Sequence, residues 1–139
     1  MKQLLKVMKA LGDGTRLKML KLLQHRTLCV CELTSLLGLS QSAVSKNLKL
    51  LEDAELIACE RQGPWSNYRL ATEANPYAAA MVSQLAGWLD DDPAVRNLIA
   101  RAQTVDRLAL CKTRPADQAR KGERQTGAPR PRKARRVVS

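Results

Sequence analysis

Two cysteines one residue apart, Cys29-Val30-Cys31, carry the sharpest chemistry in this sequence. Thiolates are soft donors and select soft, thiophilic ions. On a regular helix, side chains two apart diverge by about 200° and could not share one ion. In extended or distorted backbone they point the same way. The pair sits where a short apolar stretch that could pair as a strand, Thr27-Leu28-Cys29-Val30, gives way to the helical pattern CELTSLL. A helix N-terminus favours the thiolate, which is the form that binds metal. The same thiols could instead close a strained disulfide, which makes a redox response the competing chemistry. Two thiolates form a partial site. Further sulfur could come from Cys111, from Cys59, from a partner chain or from a small-molecule thiol. Cys59, in the run Leu56-Ile57-Ala58-Cys59, reads as a buried small hydrophobe.

A second constellation lies in residues 41–53. Val44, Leu48 and Leu51 recur at i, i+4 and i+7 and define a core face. Ser42, Ser45, Lys46 and Lys49 fall on the opposite face. Short polar side chains let a helix approach base edges in the major groove, while lysines neutralise phosphates. Gln41, Ser42, Ser45 and Asn47 are therefore expected near bases, with Lys46 and Lys49 on phosphates. Arg61 and Arg69 would serve the backbone or minor groove from a hairpin. No Ser/His/Asp or Cys/His arrangement, phosphate-binding glycine loop or paired-carboxylate site is apparent, so an enzyme is not expected. The single histidine, His25, reads as a surface group or a dipole partner at a helix end.

The elements that must hold these groups follow from periodicity and punctuation. Helices are expected over 2–11, 15–25 with Asp13 as cap, 31–37 ended by Gly38, and 41–53 capped by Ser40. Two apolar stretches around Gly63-Pro64 give a hairpin within 55–71. Amphipathic helices at 76–89 and 93–109 are divided by Asp90-Asp91-Asp92-Pro93, read as a solvated break. Helix, glycine-containing turn, helix and hairpin is the order of a winged helix-turn-helix. The fold class is thus mainly α with a small β hairpin, a winged helix-turn-helix. Helix one and Leu85, Trp88 and Leu89 are candidates for the dimer surface.

Three segments resemble the ArsR/SmtB family of metal-responsive repressors: LGDGTRL (11–17), LCVCEL (28–33) and LSQSAVSKNLKLL (39–51). They occur in the family's order and spacing, and the resemblance covers about residues 2–90. It implies a dimeric winged-helix repressor that binds double-stranded operator DNA and leaves it when a metal or metalloid binds. LCVCEL is similar to the thiol motif of the arsenite-responsive branch. The resemblance therefore implies As(III) or Sb(III) as inducer on Cys29 and Cys31, with no organic cofactor; Cys111 is one candidate for a third ligand. Such ions prefer three sulfurs in a pyramid. A Cd(II)/Pb(II)-responsive repressor of the same family is the alternative, although that branch recruits cysteines from an N-terminal extension. Zinc sensing at the family's second site is not expected, because residues 76–110 lack histidine. This chain departs from the family pattern at Gly14, usually proline, at Asn47, commonly histidine, and at Glu55, usually glycine. Thr34 stands where well-known arsenite sensors have a third cysteine.

Composition fits this reading. The 139 residues include 24 Lys+Arg against 13 Asp+Glu, a net charge of +11 that favours a polyanionic partner. Residues 1–111 hold 14 basic and 11 acidic side chains, while residues 112–139 hold 10 and 2. A winged domain over 1–110 and a basic, disordered tail over 111–139 are expected. The tail serves either as a solvating extension or as a salt-sensitive phosphate-binding arm. Without an apolar run long enough for a span or signal peptide, the protein is expected to be cytoplasmic, with no membrane partner.

Overall fold

A computed structural model of the chain describes residues 1–105 and residue 110; Cys111 and the tail lie outside the described residues. The order of elements is α1 (Lys2–Leu11), α2 (Gly14–His25), β1 (Leu28–Cys29), α3 (Val30–Leu37), α4 (Gln41–Asp53), β2 (Ile57–Gln62), β3 (Trp65–Leu70), α5 (Pro76–Leu85) and α6 (Pro93–Ala102). No helix among the described residues is long and apolar enough to cross a membrane.

The expected punctuation is in place. The Asp13 carboxylate accepts from the Arg16 N–H at 3.1 Å, opening α2. Gly38, at φ +67°, ends α3 in the left-handed conformation that glycine adopts without steric cost. Two residues on, Ser40 Oγ accepts from the Ala43 N–H at 3.2 Å and opens α4. Val44, Leu48 and Leu51 of α4 are buried together with Val7, Met19, Leu20, Leu33 and Leu56 in one core. Burying a Leu or Val side chain contributes about 1.5–3 kcal/mol, so this shared core fixes α4 against α1–α3.

The apolar stretch at 27–30 pairs as a strand: Leu28 and Cys29 meet Tyr68 and Asn67, which makes the hairpin part of a three-stranded antiparallel sheet of order β1-β3-β2. Four features differ from expectation. α3 begins at Val30, so Cys29 is its N-cap and Cys31 lies in its first turn. α5 stops at Leu85 rather than at residue 89. There Lys21, only 1% exposed, donates from Nζ to the carbonyls of Leu85 (3.1 Å) and Ala86 (3.5 Å) and to Asp90 Oδ1 (2.7 Å). The acidic run is thus more than a solvated break: Asp90 pairs with Lys21, and Asp92 caps α6 by accepting from Ala94 and Val95. Finally, α6 ends at Ala102 and turns; residues 106–109 of its expected span lie outside the described residues.

Glu55, just past α4, has φ +59°. A side chain in that region costs roughly 1–2 kcal/mol that glycine avoids. One oxygen of its carboxylate is also buried without a partner among the described residues. Glu55→Gly is therefore expected to stabilise the protein by about 1 kcal/mol, raising the thermal midpoint by roughly 4–8 °C.

Candidate DNA-binding face and thiol site

α4 presents Gln41, Ser42, Ser45, Lys46 and Lys49 on its exposed side, opposite its buried apolar stripe. Lys49 lies 3.8 Å from Asp53, an exposed pair worth little, which leaves the ammonium available. Asn47 is placed differently. Its Oδ1 accepts from Arg16 Nη1 at 3.1 Å, and its Nδ2 donates to the Ala43 carbonyl at 2.9 Å. Arg16 also donates to the carbonyls of Ala10 (2.7 Å) and Lys9 (3.1 Å) at the end of α1. Asn47 is thereby a strut between α1 and α4 rather than a free reader of bases. The motif at 11–17 supplies the guanidinium that sets the position of α4.

The wing, β2 and β3, carries the two expected arginines. Arg61 is exposed. Arg69 is engaged by Glu60 at 2.8 Å and by Glu73 at 3.7 Å. The Glu60 hydrogen bond holds the Arg69 guanidinium above its usual range, so it stays charged but locally neutralised. Arg61 is the freer of the two for a phosphate.

The thiol pair occupies the junction of β1 and α3. Cys29 is buried, with extended backbone (φ −92°, ψ 169°), and Cys31 is partly exposed in the first helical turn. The break from extended to helical backbone falls between the two cysteines. Glu32, fully buried, accepts from the Cys29 N–H at 3.1 Å, and the Cys29 sulfur faces the Glu32 N–H in return, a capping box built on a thiol. Arg26 holds the other Glu32 oxygen at 2.7 Å and donates to the Ala102 carbonyl at 2.8 Å. This joins the thiol segment to the end of α6. Among the described residues no group of three or more His, Cys, Asp or Glu side chains gathers as a metal site. The thiols supply two soft donors. The Thr34 hydroxyl, one turn beyond Cys31, donates to the Val30 carbonyl at 2.7 Å.

Strand register separates Cys59 from this site. Cys59 pairs with Tyr68, and Cys29 pairs with Asn67. Directly opposed residues share a sheet face and successive residues alternate, so Cys29 and Cys59 lie on opposite faces. Cys59 is exposed, contrary to the buried position expected from its apolar run, because its strand leaves the core to form the wing. The Tyr68 phenol is pushed up to about 12, chiefly by burial and then by Cys59 and Glu52. Cys59→Ser is expected to leave any response of Cys29 and Cys31 to thiophilic ions unchanged, as read by thiol protection.

A helix-turn-helix with an exposed polar second helix, followed by a wing, defines a DNA-binding transcriptional regulator of the winged-helix class. Residues 13–58 match the family model described as bacterial regulatory protein, arsR family. The chain is 38% identical over 91 residues to the arsenic resistance transcriptional regulator of Pseudomonas putida, spanning 62% of this chain and 71% of that protein. It is 32% identical to the arsenical resistance operon repressor of Escherichia coli, spanning 77% of this chain and 94% of that one. Among solved structures it resembles the homodimeric winged helix-turn-helix DNA-binding domain of a possible ArsR-family regulator from Mycobacterium bovis. There the TM-score is 0.54, with 30% identity, covering 60% of this chain and 75% of that one. The chain belongs to the ArsR family of transcriptional repressors, which are DNA-binding proteins and not enzymes.

Proposed function

We propose that this protein is a cytoplasmic, metalloid-responsive repressor that binds double-stranded operator DNA as a homodimer and leaves it when As(III) or Sb(III) engages Cys29 and Cys31. The observation that carries this reading is the placement of two thiols astride the start of α3, one buried as N-cap and one partly exposed. The relatives named for arsenical resistance support it. The exposed face of α4 and Arg61 meet DNA, with Gln41, Ser42 and Ser45 toward bases and Lys46 and Lys49 toward phosphates. The exposed apolar side chains Leu5 and Met8 of α1 and Trp88 after α5 supply the dimer surface. Trp88, Leu85 and Leu89 also border a 360 Å³ apolar cavity with Leu11, Leu17 and Met81.

A trivalent metalloid would supply a thiophilic centre that joins two or three sulfurs. Cys29 and Cys31 give two; Cys111 is proposed as the third, since nine residues beyond Ala102 can span up to about 30 Å. An ion bound to both sulfurs is expected to alter the turn at Val30, because the two cysteines sit in different backbone conformations on either side of it. α3 packs against α4, so a change at its start moves the recognition helix. Two half-sites about 34 Å apart tolerate little of that. The thiols separate this reading from a redox switch. Under reducing conditions arsenite is expected to protect Cys29, Cys31 and Cys111 from alkylation, whereas a redox switch would lose two thiols to peroxide and ignore arsenite. DNA binding has its own test: Lys46→Ala is expected to weaken operator binding and to reduce the slope of log K against log salt by about 1.

A further inference from the structure

We infer that Asn67 relays occupancy of Cys29 to the wing, so that the inducer acts on the wing as well as on α4. The inference rests on the reading of Cys29 as an inducer ligand. Cys29 and Asn67 are directly opposed in the β1–β3 pairing. Opposed residues share a face, with Cβ atoms about 4.5–5.5 Å apart. Asn67 is 6% exposed, which is unusual for a wing residue, and its two amide arms differ in their surroundings. Nδ2 donates to Gln62 Oε1 at 3.0 Å, near the hairpin turn. Oδ1 is buried with no hydrogen-bond partner among the described residues. A buried carbonyl oxygen without a donor is destabilising, so among the described residues the Gln62 contact is what holds this amide in its orientation. Its oxygen and NH2 are nearly equal in shape, and a half-turn exchanges them.

An ion-bound thiolate at Cys29 presents an acceptor to that face of the sheet. The NH2 arm is then drawn toward Cys29 and leaves Gln62. Gln62 pairs with Trp65 at the last rung of the hairpin, so this releases the wing where it closes. Two outputs, α3 to α4 and β1 to β3, would leave the same buried cysteine.

The experiment uses the full chain and two variants, Asn67→Ala and Gln62→Ala, with arsenite as probe. Gln62 is exposed, so its variant keeps the test available if loss of Asn67 disturbs folding. Alkylation reads occupancy of Cys29 and Cys31, and amide hydrogen exchange reads residues 60–70. Arsenite is expected to protect both thiols in all three chains, to speed wing exchange in the parent, and to lose that effect in both variants. Operator release is expected to fall from the ~5–150-fold of a coupled system toward the lower end. Protection with wing exchange that does not change, or changes alike in all three chains, overturns the relay alone. No protection in the parent overturns the metalloid reading and the relay with it.

Discussion

Lys21→Ala is expected to lower the stability of the folded domain by about 3 kcal/mol, the low end for breaking a buried ion pair. Lys21 is almost fully buried, whereas Asp90 is 60% exposed and would recover water, which tempers the loss. The substitution leaves a cavity beneath α5 and strips the Leu85 and Ala86 carbonyls of their shared donor. The thermal midpoint is expected to fall by about 12–24 °C. Lys21→Met keeps the apolar stem and loses only the charge and hydrogen bonds, so it is expected to cost less than half as much. Circular dichroism melts of both variants check this. An unchanged midpoint in Lys21→Ala would contradict the assignment of this lysine as the anchor of α5.

Serine in place of Cys29 or Cys31 is expected to abolish release by arsenite while leaving operator affinity of the ion-free protein within a few-fold of the parent. The hydroxyl preserves shape and a weak capping role but is a hard, poor ligand for thiophilic ions. The coupling that disappears is expected to be ~1–3 kcal/mol, a 5–150-fold change in operator affinity. Thr34→Cys is the converse. Thr34 lies three residues beyond Cys31, on the same side of α3, and is buried. A thiol there adds a third sulfur at the loss of one hydrogen bond to Val30. The arsenite concentration for half-release is expected to fall on the order of tenfold, equivalent to about 1.4 kcal/mol.

The four helices around the helix-turn-helix were legible because their signals are local. Gly38, Ser40 and the 44/48/51 stripe act within a turn or two of themselves, and the structure places them as their chemistry requires. The positive φ of Glu55 was likewise foreshadowed by a side chain where the family has glycine. What the sequence hid is long-range. The pairing of β1 with β3 depends on residues nearly 40 apart, and it decides that Cys29 and Cys59 face opposite ways. An apolar run could not show that β2 departs from the core. Lys21 occupies a core position of α2, and a lysine there was a visible signal for a buried partner, yet Asp90 lies 69 residues away. Asn47 shows the same limit: the sequence places it near bases, but Arg16 claims its amide. The thiol pair was legible from its spacing together with the LCVCEL motif, while its capping partner Glu32 and the anchor Arg26 needed the fold.

The central claim, that Cys29 and Cys31 couple a thiophilic metalloid to operator binding, is tested most directly by fluorescence anisotropy on the protein's own promoter DNA. Salt is fixed, the solution is reducing, and arsenite, antimonite, cadmium and zinc are titrated in turn. Release by arsenite and antimonite with zinc inert, lost in Cys29→Ser/Cys31→Ser, is the expected result. Release that persists in the double variant, or operator binding indifferent to all four ions, would contradict it.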